Sequence, residues 1–287
     1  MFRTVLSLAG LLALGCTEFE PGTDELTGDG PADTSSGALT PAVGRDWTCI
    51  GDLRVESMVA RDNTNPARLV QSVQVLTLRE GTVPPQSVVR ACAQRDLTCE
   101  SPLTPALPVD AQGWVDMPLF DGFDGYLEVT SPSTVPMMVF YQEPLRGTSR
   151  IDDEPIAQLE VPVLAQLSAA LGSPQESTLG LLILRAFDCN GDGAPGVRFT
   201  VDKPSVPYYF VGGLPSSMVT ETDGSGLGGF LNVPIGITVV DASLSSGEAD
   251  FTLPRTLFTR PGWMTALRWI AKDIFPTDAA SPAMPPR

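Results

Sequence analysis

The sequence predicts an all-β protein made of two tandem β-sandwiches joined by a short helix. Three observations predict it. Apolar and polar residues alternate with a period of two over much of residues 47–270, and 27 glycines and 27 prolines punctuate the chain. A single stretch, 151–172, switches to helical spacing. Successive side chains of a strand point to opposite faces, so alternation marks segments with one buried and one wet side.

The first sandwich is expected over 46–148. Its strand signatures are Arg54 to Val59, Val70 to Leu78 and Ser87 to Cys92, each bounded by Gly, Pro or Asn. A connector over 149–176 follows, in which Leu159, Val163, Leu164, Leu167 and Leu171 recur at helical spacing. Ala169 and Ala170 favour helix, and Gly172-Ser173-Pro174 supplies a stop. The second sandwich is expected over 177–272, with strands at Leu179 to Arg185, Val197 to Val201, Gly229 to Val233, Ile235 to Val240 and Asp250 to Phe258. A Pro- and Ala-rich tail over 273–287 reads as disordered.

A weak internal repeat ties the halves together. Asp110-Ala111-Gln112-Gly113 precedes Trp114 to Pro118 and then Gly125 to Thr130, while Asp223-Gly224-Ser225-Gly226 precedes Leu227 to Pro234 and then Gly236 to Asp241. The Asp can cap a turn through backbone amides and the Gly supplies a positive φ, so the unit is expected to close a hairpin between adjacent strands. Together with Gly193-Ala194-Pro195-Gly196-Val197, Thr222-Asp223-x-x-Gly226, Phe230 and Val233-Pro234-x-Gly236, this resembles the carboxypeptidase regulatory-like domain, a transthyretin-like β-sandwich. The first half is similar more loosely, through Val89-x-Ala91-Cys92, Asp96-x-x-Cys99, Asp110-x-x-Gly113 and Gly125-Tyr126-Leu127. The whole chain is also similar to uncharacterised two-domain bacterial lipoproteins. These are turn and core signals, and they imply a fold without a reaction.

The N-terminus carries an address. Residues 1–15 read as a signal peptide, with Arg3 ahead of an apolar run from Val5 to Leu14 that falls short of the roughly 20 residues a spanning helix needs. Leu12-Ala13-Leu14-Gly15-Cys16 resembles the lipobox of bacterial lipoproteins, although Ala13 stands where that family usually places Leu. The resemblance implies a diacylglyceryl group on Cys16 and, with Thr17 next, an outer-membrane location. Residues 16–45, rich in Gly, Pro, Ser, Thr and carboxylates, read as a disordered tether.

Four further cysteines in an oxidising compartment imply two disulfides with three possible connectivities. Pairing Cys92 with Cys99 and Cys49 with Cys189 is favoured, because the first would pin a short connection. With 34 acidic against 18 basic side chains and a formal net charge of −16, nucleic acid is excluded as a natural partner.

The remaining motifs carry little chemistry. Asp188-Cys189-Asn190-Gly191-Asp192-Gly193 matches the first half of a calcium loop, but the twelfth position is Phe199 rather than Glu, so Asp188, Asn190 and Asp192 are expected to form a polar turn. Gly224-x-Gly226-x-x-Gly229 has the dinucleotide spacing without a following helix. Asp116, Asp121 and Asp124 read as solvated turn carboxylates rather than a glycosidase pair. The chain has no histidine, which excludes the common serine triad and leaves only an unsupported Ser–Lys pairing through Lys203 or Lys272. Trp114, Tyr126, Tyr208, Tyr209 and Trp263 are aromatic candidates for a sugar or peptide platform. Of these, Tyr208 and Tyr209 are preferred, since adjacent strand residues face opposite ways and one should point outward. The expectation is a non-enzymatic, lipid-anchored interaction or scaffold module without a cofactor, whose partner is an envelope protein or polysaccharide. A carbohydrate- or peptide-binding module is the alternative, and a carboxylate-dependent hydrolase the third reading.

Overall fold

In the chain, β1 (Arg68–Thr77), β2 (Val88–Ala93), β3 (Leu107–Pro108), β4 (Trp114–Phe120), β5 (Gly125–Thr130), β6 (Met137–Phe140) and β7 (Ile156–Gln158) precede α1 (Val161–Ala170). After the helix come β8 (Gly180–Phe187), β9 (Val197–Val201), β10 (Val206–Val211), β11 (Leu214–Ser216), β12 (Leu227–Val233), β13 (Gly236–Leu244), β14 (Arg255–Thr259) and β15 (Met264–Ile270). The computed structural model describes residues 47, 68–141, 145, 155–245 and 254–270, all within one compact unit. The protein is all-β with one helix among the described residues. Cys16, Cys49, Lys272, the expected strand at 54–59, the signal peptide, the tether and the tail lie outside them.

The strands form one long sheet and two short ones. The long sheet runs β11-β10-β12-β8-β15-β6-β5-β2-β3, and the short sheets are β4-β1-β7 and β14-β13-β9. Strands from both halves of the chain therefore share one sheet. The join is β15, which pairs in parallel with β6 on one side and with β8 on the other. Parallel strands buried on both faces read as near-continuous apolar runs. This accounts for Met264-Thr265-Ala266-Leu267-Arg268-Trp269-Ile270, whose lack of alternation hides it from a period-two reading.

Each short sheet covers the long one from a different side, making two sandwiches that are offset. Val73, Val75, Val115, Met117 and Leu119 of β1 and β4 pack with Val89, Leu127, Val139 and Met264 in one core. Val197, Phe199, Val240, Ala242 and Leu257 of the other short sheet pack with Leu182, Leu184, Leu267 and Trp269 in a second core on the opposite face. The first short sheet thus lies over the N-terminal half of the long sheet, and the second lies behind its C-terminal half. The helix fills part of the first face, through Leu167 and Leu171.

The helix forms where the spacing of apolar residues places it, but it starts later and is shorter than the 151–172 stretch. Pro162 opens it and β7 occupies the residues before it. Gly172, at φ +64°, closes it, with its amide donating to the carbonyl of Ala169 and the Ser173 amide donating to that of Ser168. That double bond pattern satisfies carbonyls the helix end leaves over.

The Asp-x-x-Gly repeat has a different role from the one expected. The turn chemistry is as read: Asp110 Oδ1 accepts from the amides of Gln112 (2.9 Å) and Trp114 (2.8 Å), and Asp223 Oδ1 accepts from Ser225 N (2.9 Å). Gly113 and Gly226 stand at φ +89° and +69°. The strands that follow do not pair with each other, however. β4 pairs with β1 while β5 pairs with β2 and β6, and β12 pairs with β8 and β10 while β13 pairs with β9 and β14. In both copies the chain leaves one layer of the sandwich for the other, so the unit makes a sheet crossing instead of a hairpin.

Candidate functional site

The offset of the two sandwiches leaves part of the long sheet without a sheet partner, and α1 covers it only from one side. The result is a cleft of about 670 Å³. Its floor crosses the sheet from Met137 and Val139 on β6, through Ala266 on β15 and Ile183 on β8, to Leu227 on β12, Phe210 on β10 and Leu214 on β11. One wall is α1, through Val163, Leu167 and Ala170, and the other is β7 with its neighbours Pro155 and Leu159. Small side chains at Ala157, Ala170 and Ala266 keep the space open. At the rim, Leu78 and Leu214 are exposed, Leu214 to 72%.

The charged residues described in its lining are all arginines. Arg79, Arg185 and Arg268 line it, and among the described residues no Asp or Glu does. Arg185 and Arg268 are register partners on the parallel strands β8 and β15. Both guanidinium carbons lie 4.8 Å from the centroid of the Phe187 ring, within cation–π range. Arg185 Nε donates to the Ser225 carbonyl at 3.2 Å. Burial, and then the neighbouring charge of Arg268, lower the pKa of Arg185.

On the opposite face, the N-terminal half of the long sheet is covered by a charged cluster and a disulfide loop. Glu128, 1% exposed in mid-strand, is gripped by Arg90 from β2 and by Arg260 from beyond β14. Arg260 also donates to Tyr126 Oη at 2.7 Å and, through Nε, to the Leu97 carbonyl at 2.7 Å. Its guanidinium lies over Tyr126, Phe258 and Trp263. Tyr126 Oη in turn donates to the Asp96 carbonyl. The Asp96 carboxylate closes the loop by accepting from Ser101 N (2.8 Å) and Glu100 N (3.1 Å), and the Ser101 bond leads in holding its pKa below the usual range. The cluster consumes its own donors and acceptors, which marks it as a structural lock between the two halves. Nothing in the sequence singled out Glu128, because one Glu in a strand carries no periodic or spacing signal.

The residues singled out from the sequence are scattered. Cys92 and Cys99 are bonded to each other, with Cα atoms 5.4 Å apart. Cys189 is disulfide-bonded as well, and its favoured partner Cys49 lies outside the described residues. Glu128 approaches the Cys92 and Cys99 sulfurs closely enough to suggest a metal trio, but those sulfurs are spent on each other. Asp188 Oδ1 accepts from the amides of Asn190 (2.9 Å) and Asp192 (3.0 Å), and a bridge from Phe187 to Gly193 closes the segment as a turn. Asp116 is exposed on β4, where it accepts from Ser72 Oγ at 2.6 Å, and Asp121 and Asp124 sit in the turn before β5. Burial raises the pKa of Asp124. Lys203 donates to the carbonyls of Pro234 (3.0 Å) and Ile235 (3.1 Å), away from the cleft.

Tyr208 and Tyr209 do not form a platform. Both are buried, Tyr208 in the first core and Tyr209 in the second, because their strand lies in a sheet covered on both faces. Tyr208 Oη donates to the Leu182 carbonyl at 3.0 Å, and Tyr209 Oη accepts from Phe199 N at 2.9 Å. The Tyr209 ring stacks on Phe199, which stacks on Trp269. Of the other aromatic candidates, Tyr126 is fully buried, while Trp114 and Trp263 are half-buried.

Fold and cleft together define a β-sandwich protein with a largely apolar groove. No family model matches the chain, and no curated protein matches it. Among solved structures it is similar to the Bacillus anthracis TIE protein, at 12% identity and a TM-score of 0.23, over 72% of this chain and 34% of that one. It is similar to a streptococcal ancillary pilin at 13% identity and a TM-score of 0.25, over 72% and 68% of the two chains. A minor pilin of Streptococcus agalactiae matches at 15% identity and a TM-score of 0.24, over 77% and 100%. The chain thus spans about a third of the length of the first of these, and at such scores none of them informs the site.

Proposed function

We propose that this protein is a lipid-anchored, non-enzymatic module of the cell envelope whose folded body binds a ligand in the cleft between α1 and the long sheet. The observation that carries the reading is the cleft itself, about 670 Å³ and lined mainly by apolar side chains, within the size range of small-molecule sites. Binding is favoured over catalysis by the lining, which among the described residues holds no carboxylate or thiol. The chain has no imidazole to supply a general base. The anchor rests on the lipobox-like run ending at Cys16, and an outer-membrane location on Thr17.

The test of the cleft is a neutral, environment-sensitive dye such as Nile red, titrated into the full chain and into Ala170→Trp. Ala170 is an exposed position of α1 that lines the groove, so a bulky side chain there fills the space without touching the core. Saturable fluorescence enhancement that is lost in the variant supports the reading, and an identical response from both proteins refutes it. Mass spectrometry of the membrane-extracted chain tests the anchor: a diacylglyceryl adduct on Cys16 is expected, and an unmodified Cys16 rules it out.

A further inference from the structure

We infer that the Cys92–Cys99 disulfide is a redox-controlled latch on the lock between the two halves of the chain: oxidation holds the 92–99 loop against Arg260, and reduction releases it. This concerns the face opposite the cleft and goes beyond the ligand-binding reading without resting on it.

The first support is what the loop supplies to the lock. Two main-chain carbonyls, those of Asp96 and Leu97, stand where the lock needs acceptors. Tyr126 Oη donates to the first, and Arg260 Nε donates to the second at 2.7 Å across 163 positions of sequence. The same guanidinium donates to Glu128 and to Tyr126 Oη. Its N–H groups form a rigid planar fork, so the position of the loop and the aim of Arg260 at Glu128 are set together. Moving the loop away takes an acceptor from Arg260 Nε and another from Tyr126 Oη, in a partly buried setting where lost acceptors are costly.

The second support is how little else holds the loop. Gln94, Arg95, Leu97 and Thr98 are exposed, and between the two cysteines the main-chain bonds are local, from Asp96 N to the Ala93 carbonyl (3.0 Å) and from Cys99 N to the Asp96 carbonyl (3.1 Å). Cys99 is the one residue of the loop beyond β2 that is buried, and it stands at φ +53°, a conformation that a side chain other than glycine adopts at a cost. The disulfide, which bridges a sequence separation of 7, ties this residue to Cys92 in β2. A segment with few buried contacts opens locally once its cross-link is removed.

The third support is that the disulfide packs directly on the lock. Both sulfurs and a Glu128 carboxylate oxygen lie within 4.8 Å of one another. Disulfide and lock therefore belong to one network, and coupling between two such elements is reciprocal. By whatever factor the disulfide favours the closed lock, the closed lock favours the disulfide.

Closing the latch forms the bond between Cys92 Sγ and Cys99 Sγ. Each thiol gives up a proton and an electron, and a disulfide-bearing oxidant takes up both protons and both electrons and leaves as a dithiol. A dithiol reductant reverses the step. In a reducing compartment the loop is unlatched, and passage to an oxidising one completes the lock.

The experiment equilibrates the full chain with mixtures of reduced and oxidised dithiothreitol. The state of Cys92 and Cys99 is then read by alkylation and peptide mass spectrometry, which separates this pair from the disulfide of Cys189. Tyr126→Phe and Arg260→Gln open the lock without touching either sulfur. Each is expected to lower the ratio of reduced to oxidised dithiothreitol at half-reduction by about fivefold or more, while Gly229→Ala, which perturbs the packing of β12 instead, leaves it unchanged. A smaller shift in both lock variants, or an equal shift in Gly229→Ala, overturns the inference. A second measurement needs no change in the lock: hydrogen exchange of Cys92→Ala/Cys99→Ala against the unaltered oxidised chain. Faster exchange is expected over Gly125–Thr130 and around Arg260, with β9 and β13 unchanged. An unchanged or uniformly faster pattern overturns the latch.

Discussion

Tyr208 lies directly across from Gly229 in the β10–β12 pair, and its hydroxyl occupies the space beside Gly229 that a side chain would need. A Cβ built on Gly229 would stand 2.7 Å from Tyr208 Oη and 2.1 Å from the Leu182 carbonyl oxygen. The neighbouring pair repeats the arrangement on the other face, where a Cβ on Gly228 would meet the Tyr209 ring at 2.7 Å. Two adjacent tyrosines can therefore both be buried, one in each core, because each lies over a glycine of the next strand. Gly229, which gives the sequence its apparent dinucleotide spacing, makes room for an aromatic ring in a strand and opens no helix.

Gly229→Ala is accordingly expected to destabilise the protein by about 3 kcal/mol, since the contacts include backbone and cannot be relieved by a rotamer change. Urea denaturation followed by tryptophan fluorescence measures it. A loss under about 0.5 kcal/mol, the range of a neutral surface change, would contradict the packing described.

How much of this was legible beforehand varies along the chain. Strands with one wet face, such as β1, with Val73 and Val75 buried and Ser72 and Gln74 half-buried, announce themselves by alternation. β5, buried from Gly125 to Val129, was found through its bounding turns. β15 was missed, because a strand with cores on both sides has no polar face to alternate. The same sandwiching explains why the outward-facing tyrosine expected at 208–209 does not exist. The Asp-x-x-Gly turns were readable as local chemistry, yet whether the next strand joins the same sheet depends on contacts far away in sequence. The cleft was invisible for that reason: its walls come from six strands of one sheet, β7 and α1, and its arginines, Arg185 and Arg268, are 83 positions apart in number and adjacent only through parallel register.

Glu128 is held by Arg90 and Arg260 and is 1% exposed. Removing its charge leaves two guanidinium groups facing each other in a partly buried site. Glu128→Gln is expected to cost about 3 kcal/mol, in the range for breaking a buried pair by removing one partner. Arg90→Gln, at the more exposed end, is expected to cost about 1 kcal/mol. Chemical denaturation of both variants checks the order, and an Arg90 loss exceeding the Glu128 loss would contradict the lock.

Burial disfavours the ionised form of three phenols. Burial pushes the pKa of Tyr126 up to about 12, against the lowering effect of the Arg260 charge. Burial also raises those of Tyr208 and Tyr209. Below about pH 10 these phenols are protonated in both folded and unfolded chains, so their full contribution to stability is present. As pH rises from about 10 towards 12 the unfolded chain ionises first, and stability falls by roughly 1.4 kcal/mol per unit for each such phenol. Absorbance at 295 nm should therefore rise late and together with the loss of near-ultraviolet dichroism. Full ionisation of the chain's four tyrosines near pH 10 in a protein that remains folded would contradict their burial.

The most direct test of the account is nuclear magnetic resonance mapping of the ¹⁵N-labelled chain titrated with the neutral dye Nile red. Amide shifts are expected to concentrate on α1 around Val163, Leu167 and Ala170 and on the ends of β8 and β15 around Arg185 and Arg268, with the Glu128 cluster on the opposite face unmoved. Shifts centred on that opposite face, or spread evenly over the surface, would contradict the cleft as the place where this protein binds.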